Sequence, residues 1–586
     1  MARWLTCSSL LTLALALSAM TPALAAAPAS IPTHGLAPRP HAAALRARFR
    51  SSRSRLARVV PRPRSPPRVA PIAPAAQEGV GGVFDRLRAK AAETLTRAMA
   101  PSASGALVDV AFADVAPSWA VLAERVASLK LELGEPLAPD LENGPANPHA
   151  LIRRFGTDAE PRVLFYRDHA AWCPYCEKIW LQLEEKRIPY RVEKINMRCY
   201  GDKPPSFTAK VPSGMLPVVE IDGELFTDSA LIAHKLEELF PDHPPLRPAV
   251  SDPARVRHDE LLRLERALFS RWMGWLTRGS GDAQNRAAFE EALDVVEAEL
   301  AATASAGPYF AGAELTLVDI TFVPFLERMA ASLAYYKGFE MEGGGALGAR
   351  PNLDAWFRAM ENRADTYAGI KSDYYTHAHD LPPQLGGCEA NGTEAQRTLM
   401  GRVDGTDGVA WRLPLPPLGP ETSPEPSWRR SDPSELPEDA DAEETEEKLA
   451  QIDRLRAASR LVENHEAVVR FAARGCGKAG RRPVAAPLAD PTATPGEAYV
   501  PAVDAALRRV AHELLDGDAH ARGGEGRDVG VGREDAELPA GPAADALAYL
   551  RDRVGVPRDL PRPAARQLRA HLNWHIEGLE EGGNKE

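Results

Sequence analysis

Between residues 162 and 240, apolar residues switch from the alternation typical of strands to the three-to-four-residue repeat of helices, and back again. Asp222-Gly223, placed between two short β-prone runs, predicts a hairpin turn. The pattern therefore predicts the order β-α-β-α-β-β-α. The predicted strands are 162–166, 190–195, 218–221 and 225–226, and the helices with clear apolar faces are 177–186 and 228–240.

The helical repeat continues through most of the remaining chain. One of these helices should begin at Thr316, because Asp319 three residues later completes a capping box. Aromatic residues here are expected mainly in the core, with Trp272 and Tyr335 as two candidates for lining a substrate cleft. Helices are predicted at 83–98, 119–133, 255–277, 282–302, 450–474, 501–515, 543–554 and 566–576.

Cys173-Pro174-Tyr175-Cys176 lies at the junction between the first strand and first helix of residues 162–240. Two cysteines at this spacing are the dithiol arrangement of redox proteins. The unpaired N–H groups and positive dipole end of the helix stabilise a thiolate at Cys173, which makes it a nucleophile. Cys176 is then placed to resolve a mixed disulfide. The alternatives are a zinc half-site or two buried structural cysteines, but no second Cys/His pair lies nearby in the sequence, so no metal is expected.

Over residues 162–372 the sequence resembles the glutathione transferase superfamily of the cysteine type. Cys-Pro-Tyr-Cys resembles the glutaredoxin active site, Leu216-Pro217 resembles the family's cis-proline, and Asp228-Ser229 resembles its acidic–serine pair. The resemblance implies a thioredoxin-like α/β domain followed by the all-α transferase domain. It also implies glutathione as co-substrate, with Cys173 and Cys176 as the catalytic pair.

The resemblance further implies how glutathione would be held. Backbone groups beside Leu216 and Pro217 would meet its cysteinyl part, and Asp228 and Ser229 would hold the γ-glutamyl end, because a helix N-terminus suits a carboxylate. Lys203 falls where omega-like classes keep a lysine for the glycyl carboxylate, and Tyr175 lies inside the motif. A helical C-terminal extension beside Cys-Pro-Tyr-Cys resembles the iota class of photosynthetic organisms.

The first 77 residues have the pattern of a targeting region. An apolar core within residues 4–26 ends in Ala23-Leu24-Ala25, and the following stretch is rich in Arg, Ser, Pro and Ala, with no Asp or Glu before Glu78. A signal followed by a transit-like segment predicts a plastid enclosed by extra membranes, with the secretory pathway as the alternative. No stable membrane span is expected in the mature chain.

A chain of 586 residues is long enough for several domains. Its net charge of −11 argues against nucleic acid as a partner, and six scattered cysteines form no disulfide framework. The predicted regions are 1–77 targeting, 78–160 N-terminal helical extension, 161–245 thioredoxin-like domain, 250–375 helical transferase domain, 376–448 loop and acidic linker, and 449–586 helical C-terminal extension.

Within the predicted linker, Tyr374-Tyr375-Thr376-His377-Ala378-His379-Asp380 is interpreted as a stretch of surface groups rather than a metal site. Residues 421–447 are interpreted as a solvated linker, since they are rich in acids, Pro and Ser. Cys388 and Cys476 are candidates for a regulatory pair, with bystander thiols as the alternative.

Three functions are open from the sequence. The first is a glutathione-dependent thiol–disulfide oxidoreductase that acts on a glutathionylated protein, a small mixed disulfide or dehydroascorbate. The second is a conjugating transferase, which the cysteine disfavours because it tends to form a disulfide with glutathione. The third is a scaffold or redox sensor that binds a protein partner through the C-terminal helices. Dimerisation is expected from the family resemblance.

Overall fold

The computed structural model describes residues 116–341, 350–416, 423, 425, 442–480, 486–517 and 538–583. The predicted targeting region 1–77 and the predicted helix 83–98 lie outside these residues. Within the described ranges, every helix is too short or too polar to span a bilayer.

The described elements fall into three groups along the chain. The first comprises α1 (Trp119–Leu133), β1 (Ile152–Arg153), β2 (Val163–Asp168), α2 (Pro174–Glu185), β3 (Tyr190–Ile195), α3 (Pro205–Lys210), β4 (Val218–Ile221), β5 (Glu224–Phe226) and α4 (Ser229–Leu239). The second comprises α5 (Ala254–Leu276), α6 (Asp282–Ala301), α7 (Leu317–Lys337), α8 (Pro351–Glu361), α9 (Tyr367–Ile370), α10 (Tyr374–Leu385) and α11 (Glu394–Asp404). The third comprises α12 (Ala442–Glu463), α13 (His465–Ala472), α14 (Val500–Asp516), α15 (Ala540–Arg551) and α16 (Arg562–Gly583).

The strands form one mixed sheet in the order β1-β3-β2-β4-β5, as expected for a thioredoxin-like domain. β2 and β3 run parallel, and β4 runs antiparallel to β2, with Tyr166 opposite Val218. The edge strand β1 is too short to give a periodic signal in the sequence. It is held by Arg153, which binds both carboxylate oxygens of Glu184 at 2.9 Å. The sheet therefore begins before residue 161, the predicted domain boundary.

Helix α7 is the centre of the helical domain, and nearly all of its side chains are buried. The predicted capping box at its start is confirmed, since Thr316 and Asp319 exchange side-chain and backbone hydrogen bonds. Asp319 also accepts hydrogen bonds from the backbone N–H of Phe310 at 3.1 Å and from the indole of Trp356 at 2.9 Å. One buried carboxylate thus joins three segments of the domain.

The C-terminal extension folds around its own hydrophobic core, and α1 from the N-terminal side completes that core. Trp119 of α1 donates its indole N–H to Asp504 at 2.7 Å, and buried Arg508 donates to the carbonyl of Ala116 at 2.6 Å. We call α1 together with α12–α16 the C-terminal module. Its buried residues include Leu122, Val126, Leu455, Leu461, Val503, Leu507, Val510, Leu547, Leu568 and Leu572.

The C-terminal module packs directly on the transferase domains. The turn between α15 and α16, residues 554–559, forms several of these contacts and is called the 554–559 loop below. The backbone N–H of Val556 donates to Thr376 at 3.0 Å, and its carbonyl accepts from Ser372. Nearby, Arg569 forms a buried ion pair with Asp373 at 2.7 Å. The extension is therefore anchored to the helical domain through α10.

The predicted loop and linker over residues 376–448 instead contains most of α10 and all of α11. The interpretation of 374–380 as surface groups is wrong, because α10 packs against α7 and buries His377 and Asp380. His377 Nε2 lies 2.9 Å from Glu327, and Asp380 accepts a hydrogen bond from Tyr200. These polar side chains therefore form hydrogen bonds in the protein interior.

The predicted solvated linker is also wrong at Glu425, which is buried. Its carboxylate pairs with Arg562 at 3.1 Å and accepts the backbone N–H of Tyr374 at 3.1 Å. Composition alone does not reveal this burial, because the two partners lie far away in the sequence.

The single helix predicted at 450–474 is two helices, α12 and α13, interrupted at Asn464. The Asn464 side chain donates to the carbonyl of Arg460 at 3.0 Å and thereby competes with the backbone bond that would continue α12. Gly475, the predicted stop, lies past the end of α13. A Cβ there would come within 2.3 Å of the carbonyl oxygen of Asp545, so close packing requires glycine.

We predict that Asp319→Ala lowers the free energy of unfolding by roughly 3 kcal/mol or more, because several buried donors lose their acceptor. Asp294→Ala is the matched control, since Asp294 lies on an exposed helix face and pairs with Arg350; its effect should stay below about 1 kcal/mol. Urea unfolding followed by tryptophan fluorescence measures both. Equal effects of the two substitutions would contradict the structural role of Asp319.

Candidate active site

Three sequence motifs meet at one end of the sheet. β2 ends at Asp168, just before Cys173, and the start of β4 at Val218 lies opposite Tyr166 near that end. β5 runs antiparallel to β4, so it ends near the C-terminal end of β2, and Asp228 follows it there. The cysteine motif, the Leu216–Pro217 segment and the start of α4 consequently share one edge of the domain.

The two cysteines occupy different environments. Cys173 is the N-cap residue of α2 and is partly exposed, whereas Cys176 lies in the first turn and is buried. Burial raises the pKa of the Cys176 thiol well above its ordinary value, and a hydrogen bond with the Cys173 side chain acts in the same direction. The geometry thus presents Cys173 at the surface with a protonated thiol behind it.

Asp168 is a third member of this cluster that the sequence reasoning missed. One of its carboxylate oxygens and the two sulfur atoms lie within 4.8 Å of one another. Its Oδ2 accepts the backbone N–H of Trp172 at 2.6 Å, while Oδ1 is buried without a hydrogen-bond partner among the described residues. The only signal in the sequence is an acidic residue at the end of a buried strand directly before the motif.

Asp168, Cys173 and Cys176 also form the one group of potential metal ligands found in the described ranges. A metal would require both sulfurs as thiolates. Burial disfavours the Cys176 thiolate, and three donors are one fewer than a closed structural zinc site uses. The arrangement therefore suits a dithiol better than a zinc site.

Arg328 of α7 holds the other side of the cysteine turn, and the sequence reasoning missed this residue too. Its guanidinium donates to the carboxylate of Glu177 at 2.8 Å and to the carbonyl of Trp172 at 2.8 Å. Glu327 lies alongside at 2.8 Å. Burial, followed by the nearby Glu327 carboxylate, raises the pKa of Glu177 well above its ordinary value. The sequence feature that could have indicated Arg328 is the pair of charged residues, Glu327 and Arg328, within the otherwise apolar sequence of α7.

The residues predicted to hold the γ-glutamyl end open helix α4. Asp228 is the N-cap, and its side chain accepts the N–H of Leu231 at 2.9 Å. Ser229 is the first helical residue and is half-buried. The Leu216–Pro217 peptide bond is cis. These positions agree with the expected arrangement, while binding of glutathione by them stays a prediction.

Lys203 and Tyr175 are the remaining residues predicted to bind glutathione. The Lys203 side chain passes along the backbone of Gly214, where an added Cβ would lie 3.4 Å from its Cδ. Burial lowers the pKa of the Lys203 amine, and the nearby Cys176 and Cys173 thiols oppose that effect. The Tyr175 ring is partly exposed and packs edge-on against Phe325 at 5.5 Å.

The two aromatic candidates for a substrate cleft are buried instead. Trp272 is 1% exposed and donates its indole N–H to Ser332 at 3.0 Å. Tyr335 is 7% exposed and donates to Asp404 at 2.8 Å. Both side chains stabilise the helical domain, so the proposal that they line a cleft is wrong.

The remaining described cysteines are free thiols. Burial raises the pKa of Cys199 and Cys388 to about 12, which keeps both thiols protonated at neutral pH. Cys476 donates to the carbonyl of Ala473. These environments suit unreactive thiols better than a regulatory pair of Cys388 and Cys476.

Comparison with known proteins matches the two domains separately. Residues 172–239 match the family described as glutathione S-transferase, N-terminal domain, and residues 266–365 match glutathione S-transferase, C-terminal domain. Glutathione S-transferase DHAR2 of Arabidopsis thaliana is 31% identical over 170 residues, which cover 29% of this chain and 72% of that protein.

Two further similarities are to a second plant relative and to a solved structure. Chloroplastic glutathione S-transferase DHAR3 of Arabidopsis thaliana is 28% identical over 173 residues, covering 29% of this chain and 59% of that protein. The crystal structure of Chlamydomonas reinhardtii dehydroascorbate reductase aligns at 25% identity with a TM-score of 0.29, covering 37% of this chain and 94% of that one. By its two matched domains and its identity to DHAR2, the chain belongs to the glutathione S-transferase family, whose members use glutathione as co-substrate.

Proposed function

We propose that the chain is a glutathione-dependent thiol–disulfide oxidoreductase. The observation that supports this best is the asymmetry of the dithiol, with Cys173 partly exposed at a helix N-terminus and Cys176 buried and protonated behind it. A helix N-terminus favours the thiolate form of its N-cap cysteine. The first nucleophile and the resolving thiol are therefore distinguished by position alone.

In the first step, the Cys173 thiolate attacks the glutathione sulfur of a mixed disulfide. A bond forms between Cys173 and glutathione, the original S–S bond breaks, and the substrate leaves as a thiolate that takes up a proton. A second glutathione thiolate then attacks the adduct, releases glutathione disulfide and restores Cys173. The net exchange consumes one free glutathione thiol and yields the substrate thiol and glutathione disulfide, whose other half comes from the mixed disulfide.

The dithiol allows a second route from the same adduct. Cys176 attacks the Cys173 sulfur, so the Cys173–Cys176 disulfide forms while glutathione leaves as the thiol. Cys176 must lose its proton for this step, and the Asp168 carboxylate is the nearby acceptor, since one of its oxygens lies within 4.8 Å of both sulfurs and its Oδ1 has no hydrogen-bond partner among the described residues. Two further glutathione molecules reduce the protein disulfide.

We propose that Leu216 and Pro217, Asp228 and Ser229, Lys203 and Tyr175 hold glutathione beside Cys173. Their shared edge of the sheet supports this assignment, since bound glutathione would lie against the exposed cysteine. Holding the tripeptide there makes the attack close to unimolecular. Glutathionylated proteins, small mixed disulfides and dehydroascorbate are the proposed oxidised substrates.

A glutathione-conjugating transferase is the alternative, and the family name includes this activity. Such enzymes activate the glutathione thiol by a hydrogen bond, whereas a partly exposed cysteine forms a disulfide with it. The dithiol therefore favours oxidoreduction. A redox sensor or scaffold acting through the C-terminal module is a second alternative, but it gives no reason for keeping both thiols.

We further propose an iota-like class and a plastid location. Cys-Pro-Tyr-Cys together with the helical extension supports the class, and the pattern of residues 1–77 together with a chloroplastic relative supports the location. A plastid also holds the reduced glutathione that the reaction consumes. Homodimerisation stays a prediction from the family resemblance.

We predict that Cys173→Ser abolishes reduction of a small mixed disulfide by glutathione, whereas Cys176→Ser retains the monothiol route. The assay uses the full-length chain, with Cys476→Ser as the matched control for loss of a thiol outside the site. An aromatic-halide conjugation assay runs in parallel. Full activity of Cys173→Ser would contradict the proposed function, and a wild-type chain that binds glutathione without reducing disulfides would support the scaffold alternative.

We predict that Asp168→Asn slows release of glutathione from the Cys173 adduct by about a hundredfold or more, the size of a lost general base. Asparagine keeps an oxygen for the Trp172 N–H, so the fold should be retained. Single-turnover measurement of glutathione release tests this. The same change in the Cys176→Ser background is the control and should leave the monothiol rate nearly unchanged. An unaltered release rate in Asp168→Asn would rule out the carboxylate as proton acceptor.

A further inference from the structure

We infer that the 554–559 loop of the C-terminal module is a positioning element of the dithiol site. It acts through Trp172, the residue immediately before Cys173. This inference deepens the proposed function, because it assigns the extension a role in the same site. It differs from the prediction that these helices serve to bind a protein partner.

The first observation is a hydrogen bond across more than half of the chain. The indole N–H of Trp172 donates to the carbonyl of Val556 at 2.9 Å. The Trp172 side chain is fully buried, so this donor would lack a partner if the loop moved away. An unsatisfied buried donor is costly, and the indole is therefore held to the loop.

The second observation is the close fit of the loop to the indole ring. A Cβ built on Gly555 would lie 2.4 Å from Trp172 Cζ2, and its three nearest atoms all belong to that ring. The guanidinium carbon of Arg558 lies 4.7 Å from the ring centroid on the indole face. The loop thus fixes the plane of the ring as well as its N–H.

The third observation is that the loop is itself anchored. The backbone N–H of Val556 donates to Thr376, and its carbonyl accepts from Ser372. Gly555 donates its N–H to Asp559 at 2.8 Å, and the Asp559 carboxylate pairs with Arg558 at 2.7 Å. A loop fastened at both its backbone and its side chains can hold a ring in place.

The backbone of Trp172 connects the ring to the nucleophile. Its N–H is bound by Asp168 and its carbonyl by Arg328, and the next residue is Cys173, the N-cap of α2. Displacing the ring would tilt this turn and move the Cys173 sulfur relative to the N–H groups of α2. Thiolate stabilisation and in-line attack depend on that geometry.

The test is Gly555→Ala in the full-length chain, which adds one methyl group against the Trp172 ring. We expect alkylation of Cys173 by iodoacetamide at neutral pH to slow by roughly tenfold, and kcat to fall similarly while KM for glutathione changes by less than about twofold. Peptide mass spectrometry separates Cys173 from the other thiols.

Gly541→Ala is the matched control, since it makes the same change in the module where no atom lies within 4 Å; it should leave Cys173 reactivity unchanged. Trp172→Phe removes the ring atoms that the new methyl group meets. In that background Gly555→Ala should slow alkylation by less than about twofold, as expected for coupled residues. Wild-type reactivity of a folded Gly555→Ala chain, or an equal loss in both backgrounds, would overturn the inference.

Arg558→Gln gives a second route if Gly555→Ala does not fold, because it removes the guanidinium from the indole face without adding atoms to the loop. Slower alkylation of Cys173 is expected, and an unchanged rate would count against the loop. Alkylation does not require turnover. A chain without thiol–disulfide activity in which Gly555→Ala still slows alkylation would therefore refute the proposed function and leave this inference standing.

Discussion

Trp172 is the residue on which the geometry of the site depends. Its backbone N–H, backbone carbonyl and indole N–H are bound by Asp168, Arg328 and Val556, respectively. These partners belong to the thioredoxin-like domain, the helical domain and the C-terminal module. Because the residue is buried, each polar group needs its partner. The turn that enters Cys173 is consequently fixed from three directions by parts of the chain that are distant in sequence.

The same turn explains how two neighbouring thiols acquire different chemistry. Fixing the entry to α2 leaves Cys173 at the helix start and turns Cys176 into the core. Burial then keeps the Cys176 thiol protonated. This thiol therefore needs a nearby base before it can react. Asp168, the proposed proton acceptor, also holds the Trp172 N–H. Positioning and proton transfer therefore depend on one side chain.

The sequence predicted those features that depend on neighbours along the chain. The strands and helices of residues 162–240, the capping box of Thr316 and Asp319, and the cysteine motif are local patterns, and the structure contains each of them. The sequence did not predict that Asp168 and Arg328 belong to the site. It also did not predict that His377 and Glu425 are buried. The partners of these charged residues come from other segments. A charged residue without a partner nearby in the sequence is therefore predicted to be solvent-exposed. β1 was missed for a similar reason, since a two-residue strand exists only because β3 pairs with it.

The position of the 554–559 loop depends on the fold of the whole C-terminal module. The loop connects α15 and α16, which pack closely on each other and contribute to the core that α1 completes. α1 precedes the matched transferase domains in the chain, whereas α12–α16 follow them. Loosening either end of this core would remove support from the loop and hence from Trp172. The regions flanking the family domains are thus physically coupled to the dithiol, which a freely tethered extension would not be.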